Sequence, residues 1–124
     1  MKKDIDDIED IKLMVNSFYE GIRKDDLLGP IFEERIKDRW SIHLEKMCSF
    51  WQTILFDEHT YSGAPFPPHI SMNLTVIHFN MWVRIFNKTI DDLFEGPVTE
   101  EAKKRAALMA SIFSSKLNFL RKHI

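Results

Sequence analysis

Apolar residues recur every three or four positions along four long stretches of this chain, and no two-residue alternation runs far enough to make a strand. That spacing gathers apolar side chains on one face of a helix and leaves the other face to water. Residues 4–24 carry Ile8, Ile11, Val15, Phe18, Tyr19 and Ile22, with Asp4, Asp6 and Asp7 at the end where acidic groups suit a helix start. Residues 39–56 set Trp40, His43, Leu44, Met47, Trp51, Ile54 and Leu55 in one stripe, flanked by Cys48 and Phe50, and Asp38 is placed to cap it. From about 74 to 90, Phe79, Trp82, Val83, Phe86 and Ile90 define a further helix. Thr99 is expected to cap the last one, with Glu100 and Glu101 in its first turn and Ala106, Met109, Ala110, Phe113, Leu117 and Leu120 buried. Pro30 can open a short helix to about Ile36. The pattern predicts an all-α fold of four substantial helices and one or two short ones. No repeat, low-complexity tract or flexible linker divides the chain, so residues 1–124 are expected to form a single domain.

Glycine and proline mark the breaks. Gly29-Pro30 and Gly96-Pro97 each end a helical period. Between 57 and 68 the chain reads Tyr61-Ser62-Gly63-Ala64-Pro65-Phe66-Pro67-Pro68, and its three prolines exclude a helix interior there. Pro67 or Pro68 can start a short turn that presents His69 between two aromatic helices.

Charge and cysteine content remove several classes of function. A formal net charge of −2 gives no general attraction to a phosphate backbone or an anionic membrane. The single cysteine, Cys48, cannot close an internal disulfide, and Cys-x-x-Cys-His is absent. Acidic residues follow Lys2 and Lys3 at once, so no secretory leader is expected there, and no apolar run reaches membrane-spanning length. A reducing cytoplasm is the simplest location.

Ten Phe, three Trp, two Tyr and six Met suit either a flat apolar ligand pocket or an aromatic core. The histidines are His43, His59, His69, His78 and His123, and none falls at short metal-ligand spacing. A zinc site, which wants three or four ligands, is poorly supplied. Haem asks for one neutral imidazole and apolar walls. His69 has a suitable setting, with His78 its rival, but a histidine satisfied by a backbone carbonyl is the commoner use of such a residue. His43, Tyr19 and Trp82 each read equally as core groups whose polar atoms need partners.

The ordered set of residues is more specific than any member. Phe18-Tyr19-Glu20, Arg23-Lys24-Asp25 and Leu28-Gly29-Pro30-Ile31-Phe32 resemble the opening of group III truncated haemoglobins. So do Trp40-x-x-His43 running on to Phe50-Trp51, Tyr61-x-Gly63-x-Pro65 followed by His69, and Phe79-x-x-Trp82 with Phe86. The resemblance covers about residues 11–120, and the lack of Gly-Gly pairs also agrees with the third group. It implies a two-over-two helical sandwich around haem b, with His69 as the proximal iron ligand. By the same resemblance Tyr19, His43 and Trp82 are the distal groups, and Phe32, Phe50, Trp51 and Phe79 line or abut the haem.

Such a pocket binds O2, NO and CO. Two donors aimed at a ligand that gathers negative charge slow its release, which suits NO dioxygenation or O2/NO scavenging better than bulk O2 transport. A peroxidase, a gas sensor or carrier, and a haem-free helical interaction module are the alternatives. Turnover requires a separate reductase, because the chain has no flavin or nicotinamide motif. Whether His43 also binds the resting iron is left open by the residues.

Overall fold

A computed structural model describes residues 1–58, 61 and 74–122, and every regular element in them is helical. The elements are α1 (Ile8–Lys24), α2 (Gly29–Ile36), α3 (Trp40–Phe56), α4 (Val76–Leu93) and α5 (Pro97–Lys122).

α1 starts at Ile8, not at residue 4, because Asp7 takes the N-cap and its carboxylate accepts the Asp10 N–H at 2.9 Å. Its apolar stripe is buried throughout: Ile11, Met14, Val15, Phe18, Tyr19 and Ile22. Asp25 ends the helix and, two residues later, helps start the next. Its carboxylate accepts the Leu27 and Leu28 N–H groups at 3.0 and 2.9 Å. Gly29 then brings α2 tight against the end of α1, since a Cβ there would sit 2.7 Å from the Arg23 carbonyl oxygen.

Two cappings differ from the sequence reading. Asp38 does not cap α3: Arg39 occupies that position and offers no side-chain cap. Thr99 does not cap α5 either. The helix begins two residues earlier at Pro97, whose missing N–H costs nothing at a first helical position. The cap comes instead from Asp4, far away in sequence. Its carboxylate accepts the Val98 and Thr99 N–H groups, both at 2.9 Å, and the Thr99 hydroxyl at 2.7 Å. Gly96, at φ 139°, makes room, because a Cβ there would fall 2.5 Å from the Asp4 carboxyl carbon.

The buried core joins α1 to α4 and α5 through Ile11, Val15, Phe18, Phe86, Ile90, Ala102 and Ala106, with Ile5 plugged in from the N-terminal segment. Ala102 extends the predicted α5 face by one turn. A smaller cluster of Leu74, Phe79, Ala110 and Leu117 lies where α4 begins beside the later part of α5, and Trp82 packs against both. The Arg121 guanidinium donates to the Leu74 carbonyl and ties the end of α5 to the start of α4.

α3 behaves differently from the other long helices. Only Trp51 of its stripe and the flanking Phe50 are buried, while Trp40, His43, Leu44 and Met47 are half-buried. An apolar stripe that does not sink fully into protein faces something else, and here part of it faces a cavity.

Candidate functional site

The cavity has a volume of about 390 Å³ and lies among α2, α3, α4 and α5, with Tyr19 reaching it from α1. That size is in the range of small-molecule sites. Its wall is mainly apolar: Leu28, Phe32 and Ile36 from one side, Met47 and Phe50 from α3, Phe79 from α4, and Met109, Ala110 and Phe113 from α5. Tyr19, His43, Trp82, Phe32, Phe50 and Phe79 all line this cavity. Trp51 is elsewhere. It stacks on Phe86 at 5.1 Å in the core and touches the cavity wall through Phe50, 5.6 Å away between ring centroids. His69, His59 and His123 lie outside the described residues.

Sequence reasoning missed three features of the site. Met109 and Phe113 were read as core, because a stripe facing a cavity and one facing protein have the same period. Arg35, Arg39 and Lys46 border the cavity with positive charge, and no spacing rule singles them out. Tyr61 completes the wall beside Phe50, held where its backbone N–H donates to the Thr53 hydroxyl at 3.1 Å.

Phe18 fixes two of the polar groups. Its ring meets Tyr19 at 4.9 Å and Trp82 at 5.3 Å, both edge to face, and Phe86 at 5.3 Å behind them. Trp82 is also stacked on Phe86, with 5.9 Å between centroids and 9° between planes. Such aromatic packing leaves each ring few rotamers and so fixes where its polar atom points. Among the described residues, neither the Tyr19 hydroxyl nor the Trp82 indole N–H has a hydrogen-bond partner, although both residues line the cavity. His43 stands 5.1 Å from Tyr19 with its Nε2 atom buried. Burial, with Cys48 nearby, pushes the Tyr19 phenol well above its ordinary value, so the hydroxyl stays protonated and able to donate.

His78 also lines the cavity, but its ring is committed. Nδ1 accepts the Thr75 backbone N–H at 3.0 Å and lies 3.0 Å from the Thr75 hydroxyl, closing a capping box at the start of α4. A neutral imidazole that accepts at Nδ1 carries its proton on Nε2.

The fold and the cavity together define a class: an all-α truncated globin, with polar groups on one cavity wall. A crystal structure of a group III truncated haemoglobin from Campylobacter jejuni superposes with a TM-score of 0.87, at 30% identity, covering 94% of this chain and 95% of that one. A protein of the same organism described as group 3 truncated haemoglobin ctb is 30% identical over 113 residues, 88% of this chain and 89% of the relative. No protein-family model matches. The chain belongs to the group III truncated haemoglobins.

Membership implies a haem cofactor, and the cavity fits one. Its apolar faces suit a porphyrin, the cations at its border suit the porphyrin carboxylates, and its wall holds N–H and O–H donors unused by the described protein. Among the described residues no helix is long and apolar enough to cross a membrane.

Proposed function

We propose that the protein binds O2, NO and CO on a haem b in this cavity and acts on the ligand, by NO dioxygenation or O2/NO scavenging, instead of carrying O2 in bulk. When bound, ferrous haem supplies an iron with an open coordination position that shares electron density with a diatomic ligand. Everything else falls to the chain's own residues.

The observation that carries this reading is the shared placement of Tyr19, His43 and Trp82 on one cavity wall. The Tyr19 O–H and Trp82 N–H are preorganised donors held by Phe18, so they hydrogen-bond a charge-gathering ligand without reorganising. Each such bond contributes roughly 1.5–3 kcal/mol. His43, beside Tyr19, holds or passes a proton at Nε2. Leu28, Ile36, Met47 and Phe113 keep water away from that wall. Phe32, Phe50 and Phe79 would contact the porphyrin, with Trp51 backing Phe50, and Arg35, Arg39 and Lys46 would pair with its carboxylates.

His69 is the residue proposed to hold the haem iron when the cofactor is bound. The state of His78 supports it. A metal-bound histidine presents one bare nitrogen to the metal and donates from the other, whereas His78 accepts at Nδ1 and carries its proton on Nε2. Ligation by His78 would have to break the cap of α4.

The test is ferrous protein purified with haem. The expected outcome is slow O2 release and, on adding NO to the oxygenated protein, one nitrate per haem, with the ferrous iron giving up one electron to become ferric. Restoring the ferrous state then calls for an electron-donating reductase. Rapid O2 release with no nitrate would remove ligand chemistry from the reading and leave a carrier.

A further inference from the structure

A second hollow, of about 330 Å³, opens outward between α1 and α3, and Tyr19 is the one described residue that lines both it and the haem cavity. Two of its lining side chains, Arg23 and Trp40, are joined through Glu33 of α2. The Arg23 guanidinium lies 4.4 Å from the Trp40 ring centroid. Arg23 Nε donates to one Glu33 oxygen at 2.7 Å, and the Trp40 indole N–H reaches the other at 3.4 Å. Trp40 in turn stands 6.0 Å from both Tyr19 and His43, ring to ring.

Backbone hydrogen bonds from Lys37 to Glu33 and from Arg39 to Ile36, at 2.9 and 3.1 Å, turn the corner that carries Trp40, but the side chains add little there. Lys37 sits at φ 58°, ψ −116°, a conformation L-residues rarely adopt, and α3 starts without a side-chain cap. The Glu33 carboxylate adds a side-chain bridge from Arg23 to Trp40. The bridge is also weak: the Arg23 and Glu33 side chains are 48% and 45% exposed. Ion pairs so exposed are screened by salt and exchange readily with water.

We propose that this hollow is a second entrance to the distal side of the haem cavity, with Tyr19 as its inner wall and Arg23, Glu33 and Trp40 as a clasp that holds it shut. It admits a small uncharged gas, not a bulky or ionic substrate. Opening moves Trp40 away from the Tyr19 ring, which Phe18 keeps in place, so the clasp sets how often the gas passes beside it. The proposal rests on the haem reading above.

The experiment is CO rebinding after flash photolysis of the haem-loaded protein, for the natural sequence, Glu33→Ala and Trp40→Phe, each over a range of salt. CO carries no charge, so salt acts on its entry only through the protein. Glu33→Ala should raise the bimolecular association rate about three- to five-fold, the effect of losing one exposed charge-assisted contact. Salt should speed the natural protein and leave Glu33→Ala unmoved. Trp40→Phe keeps a ring but loses the N–H, and should fall between the two. Association rates that ignore both Glu33→Ala and salt overturn the proposal. Should Glu33→Ala fold poorly, the salt series on the natural protein decides. A protein that takes up no haem overturns the reading of the cavity as well, whereas a haem-loaded one with unmoved rates overturns the entrance alone.

Discussion

The rings of Tyr19 and His43 meet edge to face, 86° between planes and 5.1 Å between centroids. The contact joins α1 to α3 across the top of the cavity. It places a permanent O–H donor beside a group that can hold or release a proton. Neither residue alone distinguishes a ligand site from a polar core position. Their meeting on the lining of one cavity is what supports the ligand-site reading proposed above.

The Tyr19 donor gives the first prediction. Tyr19→Phe keeps the ring packed against Phe18 and Phe32 and removes only the hydroxyl. O2 dissociation from the ferrous protein should speed up about 10- to 100-fold, the loss of one hydrogen bond to a charged acceptor. Stopped-flow displacement of O2 by CO measures it. An unchanged off-rate would take Tyr19 out of the ligand's surroundings.

The histidine assignment is tested by a pair of variants. His69→Ala should lose the axial imidazole signature in the visible and resonance Raman spectra and hold haem weakly. His78→Ala should keep that signature and lose only the capping box, at about 1 kcal/mol of stability. If His78→Ala loses the signature and His69→Ala keeps it, the roles are exchanged.

Phe18 positions rather than reacts. It is almost wholly buried and touches Tyr19, Trp82 and Phe86 at once. Phe18→Ala should cost roughly 3–5 kcal/mol of stability, as expected for emptying a large core position. Phe18→Leu should fold more nearly normally and yet scatter the CO stretching frequency into several bands, because Tyr19 and Trp82 lose their common support. A single unchanged band would show that other contacts fix the two donors.

Acid sensitivity should trace to Asp4. Burial disfavours its charge, but hydrogen bonds from Thr99, Val98 and Ile5 outweigh that and hold the carboxyl below the usual carboxylate value. A depressed folded-state value stabilises the fold above the unfolded value and is lost as pH falls through the folded one. Asp4 therefore contributes fully near neutral pH and progressively less below about pH 4. Asp4→Ala should lower stability at pH 7 by about 1–2 kcal/mol, the cost of an emptied helix cap. The gap to the natural protein should narrow at pH 3 in urea melts. An equal gap at both values would mean that the charge of Asp4 is irrelevant.

Much of the helical skeleton is legible in the residue order, because a 3.6-residue period and glycine-proline breaks are local properties. Thus α1, α3 and α4 are found within a few residues of their expected bounds. Tyr19, His43 and Trp82 are singled out as a set only by the ordered resemblance, since each alone has an ordinary structural use, and the structure brings all three to the cavity. Two caps and part of the cavity wall were not legible. Asp4 reaches the start of α5 across 95 residues of sequence, and no local rule connects positions 4 and 99. Met109 and Phe113 keep the same spacing whether they face protein or a cavity. The sequence by itself determined which segments are helical and which face of each is apolar, because those depend on neighbours along the chain. Only the tertiary structure decided which apolar faces meet one another and which enclose space, because that depends on how rigid helices pack, and packing brings together residues that the chain keeps far apart.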